Sequence, residues 1–515
     1  MCCKRFNTIP WPLLAAFGGS AVLFSILGSI AATIAQPPYS PDSWSYLDIA
    51  RGLLADPPLT VATIRQFHIP TTLDVSFPPL FPAVIFVLDR LGLGVMAGYW
   101  AAILSTVLCV IPLYLIFRRT TGLVPATAMA LLVLSFILTD RDLVEEMMSG
   151  RSIPLMLLIL LSATAIWVRD PKLKLPASFG MGLCLGLACL TRFDACLIPM
   201  VLLPVIWLYS PGRRIVTVGV FALGVGIGTA PWIVHSMANF GKVYVSDNTV
   251  VALAAQCVHV ADWHTDPVLD AYDAPLAWLA KTSRNLLRLP EKLTFVRSTS
   301  FLAATILIVG AAVLVRIRRL PVPHEARLRE LLSIPEMRIL IIMTLAGLTR
   351  LIGPAMSCYM SRRYFAPLMV FIGLTLAYGL FQRWNRTQRP ATLLLVLLLV
   401  PVATLASADW QRPRLNGMAD FCKQTETIAP ARCLEPDMLL LDFDNSFAYG
   451  ALTRRPALMR PQNWNKLTTS DRIAFLDAFR PEAVRFREDG RYRKNWPESV
   501  PLLATPCLRT YLILR

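Results

Sequence analysis

WPLLAAFGGSAVLFSILGSIAATIA (residues 11–35) runs directly into QPPYSPDSWSYLDIARGLLADPP (residues 36–58). The first stretch is apolar for long enough to cross a hydrocarbon core, which takes about 20 residues. It follows Lys4 and Arg5, exceeds a signal-peptide core, and ends without a dominant small-residue cleavage pattern. It therefore reads as an uncleaved first transmembrane helix over 12–35. The second stretch opens a helix: Ser40 suits the N-cap and Pro41 the first helical position. Leu47, Ala50, Leu53 and Leu54 recur at helical spacing. The expectation is an amphipathic helix along the outer membrane surface, ended by Pro57 and Pro58, with Asp42 in its first turn. The plainest role of Asp42 is a favourable charge at a helix start.

The rest of the chain extends the membrane reading. Of 515 residues, 55% are hydrophobic and 16% charged, with mean hydropathy +0.55. A soluble chain carries about 25% charged residues. The net charge of +17 does not indicate nucleic acid, because the Lys and Arg residues gather in short clusters between apolar stretches. Those clusters face anionic membrane lipids.

Spans are predicted at 12–35, 95–117, 123–139, 152–168, 177–191, 194–209, 215–236, 298–315, 337–357, 364–382 and 391–407. Lys4-Arg5, Arg118-Arg119, Arg169 to Lys174, Arg213-Arg214, Arg316 to Arg338 and Arg383 to Arg389 then share one side. That satisfies the positive-inside rule and puts the C-terminus outside. The fold class is thus a polytopic α-helical membrane protein with about 11 transmembrane helices, its membrane domain spanning 1–407. Outside lie 36–94, 140–151, 237–297, the short turn 358–363, and 408–515. Compact loops, without retention or sorting signals, point to a bacterial inner membrane.

FPPLFPAVIFVLDRLGLG (77–94) is short and Pro-rich, which suits a second interfacial helix. The segment 237–297 holds His259, Asp262, His264, Asp266 and Asp270 without metal-ligand spacing and reads as a cover. In 408–515, MLLLDFD (438–444) and RTYLIL (509–514) read as strands. SDRIAFLDAF (470–479) reads as a helix capped by Ser470. A small extracytoplasmic α/β domain follows, with Asp442 and Asp444 at a strand end. Of 11 cysteines, Cys109, Cys184, Cys189, Cys196 and Cys358 read as small core residues. A disulfide is expected among Cys422, Cys433 and Cys507, with Cys422–Cys433 favoured.

Several pieces stand in a telling order. Asp42 follows the first span; then come Tyr46, Ile49, Ala50 and Arg51, and then Pro78, Pro79, Leu80 and Pro82. GLCLGLACLTRFDACLIP (182–199), PWIVHSMANFGKVYVSDN (231–248) and SRRYFAPLMVF (361–371) follow. Over about 40–380 this order resembles the GT-C glycosyltransferases. The nearer branch holds the protein O-mannosyltransferases and the lipid A aminoarabinose transferases.

The resemblance implies inverting transfer of a sugar from a polyprenyl-phosphate donor to an acceptor hydroxyl. That hydroxyl belongs to a glycolipid, polysaccharide or protein. It implies Asp42 as general base. Here Ser43 follows Asp42, where the protein O-mannosyltransferases carry Asp-Glu, and this speaks against a protein acceptor. TDRDLVEEMMSGRS (139–152) offers a second acid, Asp142 or Asp140, with Glu145 and Glu146 as substrate-binding candidates. Ion pairing with Arg141 and Arg151 is their plainer role. Tyr46 and His68 are further substrate-binding candidates. Arg192, Arg362 and Arg363, beside Tyr364, are the phosphate-binding candidates, since guanidinium matches phosphate geometry. Headgroup anchoring is the alternative for Arg362 and Arg363. Arg350 is a charge inside a span with no assigned partner. A divalent metal ion held by Asp42, Asp142 and His68 is one cofactor expectation.

A transporter or flippase of lipid-linked sugars is the competing reading. It calls for similar halves and midplane charges, but the sequence shows no internal repeat and its acids gather at the outer face. A non-catalytic scaffold leaves Asp42 and the 140–146 acids without a shared purpose.

Overall fold

The computed structural model describes residues 40–64, 77–139, 141–210, 213–243, 251–255, 274–288, 331–358, 362–387, 429–443, 446–486, 492–507 and 509–514. Gly19, Leu73 and Cys257 are also described. His68, Asp140, Cys422, Asp444 and the acids and histidines of 259–270 lie outside the described residues, as do the spans predicted at 298–315 and 391–407 and nearly all of 12–35.

The helices are α1 (Pro41–Arg51), α2 (Leu80–Leu88), α3 (Ala97–Leu108), α4 (Val110–Arg118), α5 (Leu123–Thr139), α6 (Arg141–Met148), α7 (Ile153–Arg169) and α8 (Leu175–Cys189). They continue as α9 (Leu197–Tyr209), α10 (Arg214–Phe240), α11 (Pro275–Leu287), α12 (Pro335–Thr349), α13 (Ile352–Met356) and α14 (Ala366–Thr387). Helices therefore stand at the positions predicted for spans at 95–117, 123–139, 152–168, 177–191, 194–209, 215–236, 337–357 and 364–382. By length and composition, Leu80–Arg118, Arg214–Phe240 and Pro335–Met356 suffice to cross a membrane.

Two first-loop expectations need correction. The stretch from Phe77 does not stop as a free-standing interfacial helix, because α2 continues, across a break holding Asp89 and Arg90, into a 39-residue helical run that ends with α4. It bends at Gly92 and Gly94, both at positive φ. Phe81 and Ile85 are wholly buried in the helical core. Nor is α1 an amphipathic surface helix. Its Ser40 cap and Pro41 start are as expected, with Ser43 completing a capping box. But it ends at Arg51, and every residue from Ser43 to Ala50 is buried. The reason is a second covering element: besides α2 and α3, a C-terminal helix packs against it.

The helical bundle is closest where side chains are smallest. A Cβ at Gly182 would stand 2.2 Å from the Phe221 carbonyl oxygen; one at Gly186 would stand 2.5 Å from that of Val225. Across the gap, a Cβ on Gly224 or Gly228 would meet the α8 backbone as tightly. Backbone contact of this kind is how apolar helices associate without a hydrophobic driving force between them. It locks α8 to α10 and so fixes the turn after α8. Between α6 and α7 the chain bends by 115°. Gly150 at that bend has φ 59°, and a Cβ there would lie 2.8 Å from the Gly98 backbone. The bend sets α6 across the end of the bundle.

The C-terminal part forms β2 (Leu440–Asp442), α15 (Ser446–Thr453), β3 (Ala457–Met459), α16 (Thr469–Phe479), β4 (Ala483–Arg485), β5 (Leu502–Ala504) and β6 (Thr510–Ile513). The expected strands and helix are present, although Thr468 with Asp471, not Ser470, caps α16. The six-stranded sheet runs β1-β3-β2-β4-β6-β5. Its β1 (Thr63–Ile64) comes from the first loop and pairs parallel with β3. Asp442 stands at the end of β2. It is buried in a bidentate pair with Arg485 on the neighbouring strand. The disulfides also differ from expectation. Cys433 pairs with Cys507, their Cα atoms 6.0 Å apart, and Cys358 is no mere core filler but pairs with Cys257. Sheet and loop contacts across 74 and 101 residues set these pairs, where nearness in sequence favoured Cys433 with Cys422.

The α8–α10 contact is directly testable. Gly186→Ala should destabilise by about 1–3 kcal/mol through overpacking. Gly226→Ala on the same helix pair adds a methyl that meets nothing within 4 Å, and it should be neutral or stabilising. Thermal unfolding midpoints in detergent check both; equal midpoints for the two variants would contradict the packing.

Candidate active site

Four sequence-distant segments bring charge to one place: the start of α1, the α6–α7 bend, the turn after α8, and the turn Arg362–Tyr364 before α14. Three of the four belong to segments predicted on the outer side; the turn after α8 falls between the spans predicted at 177–191 and 194–209. Arg363 Nη1 donates to Asp42 Oδ2 at 2.7 Å. Arg151 Nε lies 3.8 Å from the same oxygen and donates to Ser40 Oγ at 3.0 Å, and its Nη1 donates to Glu146 Oε1 at 2.7 Å. Glu146 is also 3.9 Å from Arg363 Nη1. Asp42 and Glu146 are thus bridged by two guanidiniums. Glu146 is buried (side chain 1% exposed), whereas Asp42 keeps 29% exposure. Asp42 is therefore the carboxylate a substrate can reach.

Burial works against the charged form of Asp42, but the guanidiniums of Arg363 and Arg151 outweigh it. They hold its carboxyl below the usual carboxylate range. Asp42 is ionised at neutral pH, and its lone pairs are engaged by cations.

Beside this pair stands a second network. Arg192 Nε donates to Asp194 Oδ1 at 3.0 Å, and Arg350 Nε donates to Asp194 Oδ2 at 2.7 Å. Arg350 is 2% exposed and sits where α12 breaks before α13. Asp194 is thus the partner of the charge that sequence left unassigned. It was legible only as the fourth residue of Thr-Arg-Phe-Asp (191–194). A 3-10 turn, not an α-helix, carries both Arg192's neighbour and Asp194. The guanidiniums of Arg192, Arg350 and Arg363 lie 4.9, 5.9 and 5.6 Å from the Tyr364 ring centroid. One aromatic face collects the cations of two networks.

The other candidates fall into place around these. Tyr46 is buried, its hydroxyl 2.9 Å from Ser152 Oγ and its ring against Phe77 and Phe81. Burial pushes its phenol well above the ordinary tyrosine range. Tyr46 thus seats α1 on α7. Ser43 donates to the Ser149 carbonyl, buried, so the space beside Asp42 has no room for a glutamate. Glu145 is exposed and 3.9 Å from Arg151. Asp142 is buried on α6. The turn places Arg362 next to Arg363, with its side chain outside the described residues. Among the described residues no three His, Cys, Asp or Glu side chains gather to hold a metal.

The chain has the GT-C fold. It is similar over 96% of its length to the crystal structure of ArnT from Cupriavidus metallidurans bound to undecaprenyl phosphate, with TM-score 0.59, 14% identity, and 97% of that chain covered. The apo state of the same ArnT matches with TM-score 0.56 and 15% identity, over 96% of this chain and 97% of that one. An archaeal oligosaccharyltransferase, AglB from Archaeoglobus fulgidus, matches with TM-score 0.47 and 13% identity, over 91% of this chain and 69% of that one. No protein-family model and no curated protein sequence matches the chain.

The Asp42–Arg363 pair has a spectroscopic consequence. In Arg363→Gln the Asp42 carboxyl loses its nearest cation, and its titration should move to higher pH. Infrared difference titration against Asp42→Asn isolates that carboxyl. An unchanged midpoint would mean that Arg363 does not hold it.

Proposed function

We propose that this chain is an inverting glycosyltransferase of the bacterial inner membrane. It moves a sugar from a polyprenyl-phosphate donor to an acceptor hydroxyl on the outer face, with the C-terminus also outside. The observation that carries this reading is the 2.7 Å pair between Asp42 and Arg363. It joins a reachable carboxylate to a cation suited to phosphate, with Arg192 against the same tyrosine ring. The fold shared with ArnT, solved with undecaprenyl phosphate bound, supports the donor class.

The chemistry then follows from the residues. The donor phosphate takes Arg363 and Arg192 as bidentate partners. Drawing Arg363 away leaves Asp42 less compensated and therefore more basic. Asp42 removes the proton of the acceptor hydroxyl as its oxygen bonds to the anomeric carbon. The bond from that carbon to the phosphate oxygen breaks, and its electron pair stays with the polyprenyl phosphate. The guanidiniums offset the charge that develops there. Attack opposite the leaving group inverts the anomeric centre. Ser43, where a second carboxylate stands in the protein-modifying branch, favours a glycolipid or polysaccharide over a protein acceptor. Asp42, Glu146, Arg151 and Arg363 lie in predicted outer segments, whereas a transporter calls for charges near the midplane.

Purified protein and Asp42→Asn, side by side in detergent with membrane extract as acceptor, test the proposal against a panel of polyprenyl-phosphate sugars. Mass spectrometry should show one donor consumed, and consumption should fall at least a hundredfold in the variant, the scale of lost general-base catalysis. Donor binding without consumption would favour a transporter. Asp42, Asp142 and His68 as a divalent-ion site is a proposal that an EDTA arm of the same assay tests.

A further inference from the structure

The C-terminal sheet borrows its edge strand, and the residue that holds the strand there lies on the helix of Asp42. Asp48 sits six residues after Asp42 on α1 and is 1% exposed. Its carboxylate accepts the backbone N–H groups of Ala62 and Thr63 at 3.1–3.2 Å, which pins β1. The same carboxylate pairs with Arg454, at the end of α15, whose Nη1 also donates to the Asp48 carbonyl at 3.0 Å. Arg51, also on α1, donates to the Ala451 carbonyl at 2.8 Å. Thr63 Oγ1 donates to the Ser446 carbonyl at 3.2 Å, and a Cβ on Gly450 would come within 2.1 Å of that hydroxyl.

Arg454 is an unusual choice for its backbone position. Its φ is 58°, the left-handed region just past a helix end where glycine is the common residue. A side chain at such a position persists when its surroundings over-determine it, and here those surroundings are Asp48.

We propose that β1, α15 and the Asp48–Arg454 pair form a clamp by which the C-terminal domain sets the position of Asp42. Asp48 and Arg454 are positioning residues, since neither touches the Asp42–Arg363 pair. Asp42 is about 9 Å along the helix axis from Asp48, so a turn or slide of α1 at Asp48 is carried to Asp42. Arg192 and Arg363 hang on other elements and stay in place. The clamp therefore governs the proton-transfer geometry, and a displaced Asp42 also loosens its hold on Arg363 and leaves that guanidinium freer for the donor. This inference rests on the reading of Asp42 as the base.

The test uses the full-length protein in the donor-consumption assay, with Arg454→Met, Arg454→Lys and Asp42→Asn. In Arg454→Met, kcat per folded molecule should fall about tenfold or more, the scale of an ångström-sized misplacement, with donor KM unchanged or lowered, since a displaced Asp42 competes less for Arg363. Arg454→Lys should recover part of the loss. Thr63→Cys with Gly450→Cys, added to Arg454→Met, ties β1 to α15 covalently. A Cβ at 450 lies 3.3 Å from that of Thr63, close to disulfide reach. Oxidation of that triple variant should restore kcat and reduction should lower it by more than the same treatments change the parent protein, whose Cys257–Cys358 and Cys433–Cys507 bonds respond alike; this also serves if Arg454→Met alone does not fold. A merely structural pair would lower yield and thermal midpoint with kcat per folded molecule unchanged. That outcome, with Asp42→Asn inactive, overturns the clamp. Full activity of Asp42→Asn would overturn the catalytic reading instead.

Discussion

The Asp42–Arg363 ion pair joins residues 321 positions apart, and the architecture around it serves to make that meeting repeatable. A charge pair at the edge of an apolar bundle is worth little if its partners can drift, because solvent and entropy erode it. Here each partner is fixed from behind. Asp42 stands on a capped helix buried on all faces beyond its first turn. Arg363 follows a segment tied down at Cys358 by the Cys257 disulfide. Asn285 from α11 donates to the Ala355 carbonyl at 2.8 Å and to the Cys358 sulfur at 3.2 Å.

Two kinds of packing supply that rigidity. In the bundle, glycine faces let α8 and α10 touch backbone to backbone, which sets the turn bearing Arg192 and Asp194. At the end of the bundle, polar connections take over: Asp48 gathers two backbone N–H groups and a guanidinium, and Arg485 clasps Asp442 within the sheet. Buried ion pairs add little net stability over apolar packing, yet breaking one leaves an uncompensated charge. Such pairs suit positions where a unique geometry matters more than stability.

Much of this was legible in sequence because membrane physics is simple. Apolar length and the Ser40-Pro41 start report on local constraints that the fold keeps. The charged candidates Asp42, Glu146, Arg192 and Arg363 were visible through the order of segments that carries the resemblance. What sequence could not show was pairing. Arg350 had no evident partner because Asp194 lies 156 residues away. The amphipathic surface helix was a fair inference from Leu47, Ala50, Leu53 and Leu54, but α15 arrives from 400 residues on to cover it as well. Cys257 gave no signal for Cys358, and no spacing rule would send Thr63–Ile64 into a C-terminal sheet.

The central claim is that Arg363 is shared: Asp42 holds it at rest and the donor phosphate takes it. Equilibrium binding of a polyprenyl phosphate without its sugar, to the parent protein, Asp42→Asn and Arg363→Gln, measures that sharing without turnover. Asp42→Asn removes the competitor for Arg363 and should bind the lipid phosphate more tightly than the parent, while Arg363→Gln should bind it more weakly. Equal or weaker binding by Asp42→Asn would contradict the exchange and leave the ion pair as a structural tie.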